Sequence, residues 1–257
     1  VYAFGDENTE GTAEMKNLLG GKGANLGEMA SLGIQVPPGF TISTEACVYY
    51  FQNKNTFPSK LWDEILSRLK DLEKVLGKNF GDPVNPLLVS VRSGARVSMP
   101  GMMDTVLNLG LNDTTARGLA KSTKNEWFAL DSYRRFISMF GNVVLGIPGE
   151  RYETILTKKK LKRKIEFDTE FTIQELKALI RQYKALVVRV MGEEFLEDPM
   201  QQLRMAVEAV FNSWNTERAR TYRRLNNIPG EWGTAVTVQS MVFGNMGETS
   251  ATGVAFT

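Results

Sequence analysis

The chain of 257 residues contains no histidine and a single cysteine, Cys47. The absence of histidine excludes Ser-His-Asp and Cys-His catalysis, histidine-ligated metal sites and a phosphohistidine carrier within this chain. One cysteine excludes an internal disulfide and a zinc site built from cysteines, and it is typical of a reducing compartment. Because Cys47 lies among apolar neighbours in STEACVYYF, we expect a buried, unreactive thiol rather than a nucleophile. The chemistry left to the chain is that of carboxylates and phosphates.

Long hydrophobic runs and a strong net charge are also missing. No apolar run approaches the roughly 20 residues that a membrane span needs, so we expect no membrane partner. A net charge of +2 argues against a dedicated nucleic-acid-binding protein. The basic run of residues 158–164 has no interleaved aromatic residues, and it is predicted to be a solvated connector between two helices. A basic patch that binds a partner is the alternative for this run.

Apolar residues recur at helical spacing over much of the chain. Ser59 to Leu76 is predicted to be an amphipathic core helix that Gly77 ends, and residues 110–195 are predicted to be wholly helical. Within that stretch, Thr172 to Glu175 has the form of a capping box and begins a helix. Asp198-Pro199 is typical of another helix start.

The last part of the chain changes to β-rich sequence. Residues 235–243 are predicted to form a strand, residues 244–247 a turn, and residues 250–257 the strand that pairs with the first in a hairpin. Since the chain begins at Val1 and stops within this second strand, we expect a fragment of a longer protein. The order of elements predicts an α+β fold with a helical insert.

The stretch of residues 87–108, LLVSVRSGARVSMPGMMDTVLN, combines features of an anion site. Its apolar start is typical of a buried strand, which leads into Arg92 and then into a loop with a Pro-Gly turn. The guanidinium fork of an arginine matches phosphate oxygens, and a glycine loop can turn backbone N–H groups toward the same anion. The motif is neither a Walker loop nor a dinucleotide-binding fingerprint. From the residues alone, a polyphosphate site and a scaffold strand ending in a surface arginine both stay open.

Lys22 is the second candidate phosphate ligand. Residues 20–23, GGKG, are predicted to be a loop, and Ala24 to Ser31 a helix, so Lys22 lies at or just before a helix N-terminus. The helix dipole already favours anions there, and a lysine is unfavourable unless an anion is bound. An exposed lysine between helices is the alternative, but together with Arg92 the pattern favours a phosphate site.

Several stretches, spread along the whole chain, resemble the N-terminal nucleotide-binding region of the pyruvate phosphate dikinase family. They are NLLGGKGANLGEM (17–29), VPPGFTISTEAC (36–47), PLLVSVRSGARVSMPGMMDTVLNLGLN (86–112), DSYRRF (131–136), YRRLNNIPGEWGTAV (222–236) and MVFGNMGETSATGVAFT (241–257). The resemblance is weakest over residues 146–195, and the combination of GGKG with SVRSGARVSMPGMMDT is highly specific. The phosphoenolpyruvate synthase family shares the general layout but not the MPGMMDT segment, and it is the alternative.

The resemblance implies an ATP-grasp fold, in which ATP lies between two α+β lobes. On that basis residues 1–112 form the first subdomain and residues 113–197 a helical insert. Residues 198–243 return to the first subdomain, and residues 244–257 begin a second lobe that is incomplete in this chain.

The resemblance also implies an activity and its site. The family converts ATP, phosphate and pyruvate to AMP, pyrophosphate and phosphoenolpyruvate through a phosphohistidine on a separate central domain. Lys22 and Arg92 fall on positions expected to hold the ATP phosphates and to serve in catalysis. The loop expected to close over the β- and γ-phosphates contains Gly101, Met103, Asp104 and Thr105. The strand expected to frame the adenine contains Gln239, Met241 and Val242.

Some functional parts implied by the resemblance lie outside this sequence. The cofactors are ATP and Mg²⁺, with the acidic metal ligands expected beyond residue 257. The carrier histidine and the pyruvate-binding part are absent, so the isolated chain is expected not to turn over. The implied partners are the central domain and a second copy of the full-length enzyme, joined through its C-terminal part. The implied location is cytoplasmic, with an organellar form as the alternative. A non-catalytic nucleotide-binding module is the alternative function.

Overall fold

A computed structural model describes residues 1–6 and 8–253 and shows a mixed α/β fold. Its strands are β1 (Tyr2–Phe4), β2 (Gly39–Ile42), β3 (Asn79–Phe80), β4 (Pro86–Leu87), β5 (Val89–Gly94), β6 (Thr105–Leu109) and β7 (Ala235–Ser240). Its helices are α1 (Lys16–Ser31), α2 (Thr44–Gln52), α3 (Leu61–Leu76), α4 (Asp113–Thr123), α5 (Glu126–Val143), α6 (Gly149–Arg163), α7 (Ile173–Met191), α8 (Pro199–Ser213) and α9 (Glu217–Leu225). In that part of the chain, no helix combines the length and the apolar character that crossing a membrane requires.

The main sheet of the described residues has the strand order β1-β2-β7-β5-β6, with neighbouring strands antiparallel. Although β7 comes late in the sequence, it pairs with β2 on one side and β5 on the other. Both of its edges are therefore occupied, and no edge is left for the predicted hairpin. Residues 250–253 form no strand, and residues 254–257 lie outside the described residues. Over the residues described, the hairpin prediction was wrong.

The sheet has one apolar face and one polar face, because successive side chains of a strand point to opposite sides. The buried residues of the apolar face are Phe40, Ile42, Val89, Val91, Val106, Val236 and Val238. They share one core with the apolar residues of α3 and α8. The strand register places Thr41, Thr237, Arg92 and Thr105 in one row across the other face. Helix α1 covers part of that polar face, and a Cβ on its Gly23 would lie 2.7 Å from the Thr41 side chain.

Three helix ends predicted from local signals are confirmed, at Gly77, Thr172 and Asp198. Gly77 ends α3 in the left-handed conformation. The Thr172 hydroxyl accepts a hydrogen bond from the Glu175 N–H at the start of α7. The Asp198 carboxylate accepts hydrogen bonds from the first turn of α8. Cys47 is buried as expected, and burial raises the pKa of its thiol to about 12.

The sequence predicted that the basic run of residues 158–164 is a connector between helices. This prediction was wrong, because residues 158–163 form the last part of α6. Lysine and arginine side chains are favourable there, near the negative end of the helix dipole. Lys160 forms an ion pair with Asp168 at 2.6 Å and Arg163 with Glu175 at 2.6 Å. The apolar stripe of α6 is short, with Tyr152 and Leu156 as its buried residues, so periodicity did not indicate that the helix continues through the basic run.

The segment DSYRRF places a buried ion network on α5. The Arg134 guanidinium contacts the Asp131 carboxylate at 2.6 Å and that of Asp168 at 2.9 Å, and both side chains of the first pair are 4% exposed. Arg135 contacts the second oxygen of Asp131 at 2.8 Å. Burial acts to raise the pKa of Asp168, but the Lys160 hydrogen bond and the nearby cations hold that pKa below its ordinary value. The network joins α5 to the segment between α6 and α7.

Candidate functional site

The predicted loop around Lys22 is a break within α1. Gly20 has φ 67° and ψ 172°, a conformation that is essentially restricted to glycine, while the residues on both sides are helical. A Cβ on Gly20 would lie 1.8 Å from the carbonyl oxygen of Gly94. The Gly21 N–H donates a hydrogen bond to the Ala95 carbonyl at 2.9 Å. The break therefore holds a new helix start against the end of β5, and Lys22 lies in the first turn of that helical segment rather than in a loop.

The structure brings Lys22 and Arg92 together. The Lys22 ammonium donates to the Ser93 carbonyl oxygen at 2.9 Å, and the Arg92 guanidinium donates to the side-chain oxygen of Gln239. Lys22 is an exposed residue, but partial burial of its ammonium group and the nearby charge of Arg92 lower its pKa. Burial also lowers the pKa of Arg92. Over residues 1–6 and 8–253 neither cation has a carboxylate partner. Two neighbouring cations repel each other, and a bound anion stabilises them.

The Gln239 side chain links Arg92 to the chain that enters β2. Its amide nitrogen donates to the Pro37 carbonyl at 2.8 Å, and its oxygen accepts from Arg92. The Arg92 Nε and the hydroxyl of Thr237, its neighbour across the strands, are buried without a hydrogen-bond partner in the part of the chain described. The contact between Arg92 and Gln239 joins residues 147 apart, so only the strand register could have indicated it. No local sequence pattern indicated this role of Gln239.

The segment before β6 was predicted to be a phosphate-covering loop. Thr105 is the first residue of β6 and pairs with Arg92, so it belongs to the sheet rather than to the loop. Gly101 is exposed, with φ 71°, and a Cβ there would meet open space. Gly101 is therefore an exposed point of the loop, close in sequence to a strand that carries a site residue.

The loop is anchored on its other side to α9. The Arg218 guanidinium forms an ion pair with Asp104 and also donates to the Met102 carbonyl at 3.2 Å. Met99 is buried in a cluster with Trp214, and Met103 packs against that cluster. No sequence pattern predicted this anchor, because α9 contributes Arg218 from more than a hundred residues away.

The adenine strand predicted from the resemblance is shorter than expected. β7 ends at Ser240, so Met241 and Val242 follow the strand and do not lie on it. The Met241 N–H still donates to the Leu88 carbonyl at 2.9 Å. Val242 is 74% exposed and lines a shallow cavity of about 740 Å³ with Pro37. Exposed apolar surface thus lies beside the Gln239 contact.

The described residues supply cations to this site but no metal centre. Among residues 1–6 and 8–253, no three acidic or cysteine side chains are grouped so that they could hold a metal ion. What the site offers is two cations, a helix start whose dipole favours anions, and a guanidinium Nε without a partner among the residues described. This arrangement suits the binding of a phosphorylated ligand.

Comparison with known proteins assigns the family. The model of the pyruvate phosphate dikinase AMP/ATP-binding domain matches residues 16–74 and 53–257. Over 257 residues the chain is 56% identical to the chloroplastic pyruvate, phosphate dikinase of Flaveria pringlei, and over 258 residues it is 55% identical to the pyruvate, phosphate dikinase of Clostridium symbiosum. All of this chain is aligned, but it spans 27% and 29% of the length of these two relatives. The chain belongs to the family of pyruvate phosphate dikinase AMP/ATP-binding domains.

Proposed function

We propose that this chain is the ATP-binding part of a pyruvate phosphate dikinase. In the proposed reaction, ATP, phosphate and pyruvate give AMP, pyrophosphate and phosphoenolpyruvate through a phosphohistidine on a domain outside this chain. The observation that carries the proposal is the convergence of Lys22 and Arg92 without a carboxylate partner among the described residues. The names of the relatives favour this function over that of a phosphoenolpyruvate synthase.

In this proposal the ATP phosphates lie against Lys22 and Arg92, on the polar face of the sheet. The exposed tip of the loop at Gly101 closes over the β- and γ-phosphates, with Met103, Asp104 and Thr105 at its base. The adenine lies beside Met241 and Val242, where exposed apolar surface suits a base.

The same proposal assigns the described sheet to one lobe of an ATP-grasp fold. Residues 1–112 and 198–243 form that lobe, residues 113–197 are an insert, and a second lobe begins at residue 244. The central position of β7, between β2 and β5, supports the return of the chain to the first lobe. Bound Mg²⁺ would neutralise phosphate charge, and its carboxylate ligands would come from beyond residue 257.

Replacing Arg92 by alanine is expected to weaken ATP binding about tenfold or more, because one charge-assisted phosphate contact contributes about 1.5–3 kcal/mol. Calorimetric titration of the full-length gene product with ATP and Mg²⁺ measures the effect. The matched control is Arg204→Ala on α8, where the guanidinium packs on Phe57 and Trp62. Equal ATP affinity of Arg92→Ala and the unaltered protein would reject the proposed site.

The isolated chain of residues 1–257 is expected to form no AMP at a steady rate. Phosphoryl transfer needs metal-assisted charge neutralisation and an acceptor held in line, and the proposal places both outside this chain. A coupled assay for AMP with ATP, Mg²⁺, phosphate and pyruvate tests this, with the full-length gene product as the positive control. Steady AMP formation by residues 1–257 would contradict the expectation.

A further inference from the structure

The cations of the candidate site are held differently from the cations of the chain that form ion pairs. Several guanidinium groups elsewhere contact carboxylates: Arg68 contacts Glu10 at 2.7 Å, and Arg134 contacts Asp131 at 2.6 Å. At the site, Arg92 donates to the neutral amide oxygen of Gln239. Lys22 likewise donates to a backbone carbonyl oxygen. Both site cations are therefore fixed in place without being neutralised.

The neutrality of the Gln239 partner has a direct consequence for anion binding. A carboxylate at this position would form an ion pair with Arg92 and would compete with phosphate oxygens for the guanidinium. An amide oxygen accepts one N–H of the fork and leaves the positive charge available. The Arg92 Nε, buried and without a partner in the described residues, is a donor that remains for a ligand.

The orientation of Gln239 is itself fixed by its surroundings. The residue is 5% exposed and lies on β7, between β2 and β5. Its side-chain nitrogen donates to the Pro37 carbonyl, which can only accept, so the side-chain oxygen has to face Arg92. The Ser90 hydroxyl donates to the backbone carbonyl of Gln239 at 3.3 Å, which ties the residue to β5. The amide thus holds the arginine from a rigid position.

We infer that Gln239 is a positioning residue that holds Arg92 for the nucleotide phosphates, and that it acts because its side chain is neutral. The inference rests on the proposed function and departs from the role in framing adenine that the resemblance implied. Both ends of the Gln239 amide already contact protein atoms, and the side chain is buried. With 5% of the residue exposed, little of the amide is left within reach of a base.

The test uses the full-length gene product with two ligands, ATP and inorganic tripolyphosphate, each titrated in the presence of Mg²⁺. If Gln239 acts through Arg92, Gln239→Leu should weaken both ligands by the same factor, about tenfold. The isosteric variant Gln239→Glu should weaken both at least as much, since its carboxylate would pair with Arg92. The matched control is Gln202→Leu, which removes another buried amide that contacts the Leu111 and Leu196 carbonyls, and it should leave both affinities unchanged.

A double-mutant cycle separates this inference from the proposed function. In an Arg92→Ala background, Gln239→Leu should cause no further loss of affinity for either ligand. Additive losses, or a loss confined to ATP with tripolyphosphate unaffected, would overturn the positioning role. Weakened binding by Arg92→Ala with full binding by both Gln239 variants would overturn the inference alone. Unchanged binding by Arg92→Ala would overturn the proposed site and the inference together.

Discussion

Replacing Gly20 by alanine is expected to lower the free energy of unfolding by about 2–6 kcal/mol. The backbone at φ 67° and ψ 172° is one that alanine adopts only under strain, which costs about 1–3 kcal/mol. The new Cβ would also lie 1.8 Å from the Gly94 carbonyl oxygen, and overpacking of this kind costs about 1–3 kcal/mol. Urea unfolding of the full-length gene product, followed by circular dichroism, measures the change. ATP affinity should fall as well, because the helix start that carries Lys22 has to move away from β5.

Gly33→Ala separates the cost of backbone strain from the cost of steric overlap at the new Cβ. Gly33 also has a positive φ, 78°, but a Cβ there would meet open space. Its replacement should therefore cost only the backbone term of about 1–2 kcal/mol. If Gly20→Ala were no more destabilising than Gly33→Ala, the close approach of Gly20 to Gly94 would not contribute to stability.

Asp131→Ala is expected to destabilise the protein by about 3–5 kcal/mol, because it removes one of the two carboxylates that compensate the buried charge of Arg134. Both side chains are 4% exposed and lie 2.6 Å apart, and Arg134 would keep only Asp168 as a carboxylate partner. Urea unfolding is again the measurement. Arg134→Met in the Asp131→Ala background should recover part of the lost stability, because it removes a buried charge that has lost one of its two carboxylate partners.

Asp71→Ala is the surface control for this ion pair. Asp71 lies 3.8 Å from Lys74 on α3, and both side chains are exposed, so its loss should cost less than about 1 kcal/mol. Two results would argue against the buried network as a stabilising element. One is a loss for Asp131→Ala as small as that for Asp71→Ala, and the other is no recovery in the double variant.

Local signals in the sequence were sufficient for individual helices. The leucine spacing of Ser59 to Leu76, the capping box at Thr172 and the Asp198-Pro199 start each describe interactions within a few residues, and each is confirmed. The basic end of α6 was mistaken for a connector because few of its residues are buried, so its hydrophobic period is weak. When only a few side chains of a helix are buried, its sequence shows little of the apolar periodicity by which helices are predicted.

The strand arrangement could not be obtained from local signals. The β-rich sequence of residues 235–240 indicated a strand, but its partners are β2 and β5, about 150 to 200 residues away in sequence. A neighbouring hairpin strand was the expectation from loop length alone. The strand register also decided that Gln239 faces Arg92 and that Thr105 lies beside Arg92 in the sheet.

The sequence by itself determined the chemistry that this chain can perform. Phosphate binding was indicated by the lack of histidine, the single cysteine and the presence of both Lys22 and Arg92. These features could be read from the sequence because they depend only on which functional groups are present. The tertiary structure decided how those groups are held. Gly20 breaks α1 against Gly94, and strand pairing provides Arg92 with a neutral partner, through contacts between residues far apart in the chain. Such contacts depend on the packing of the whole sheet, which no local stretch of sequence encodes.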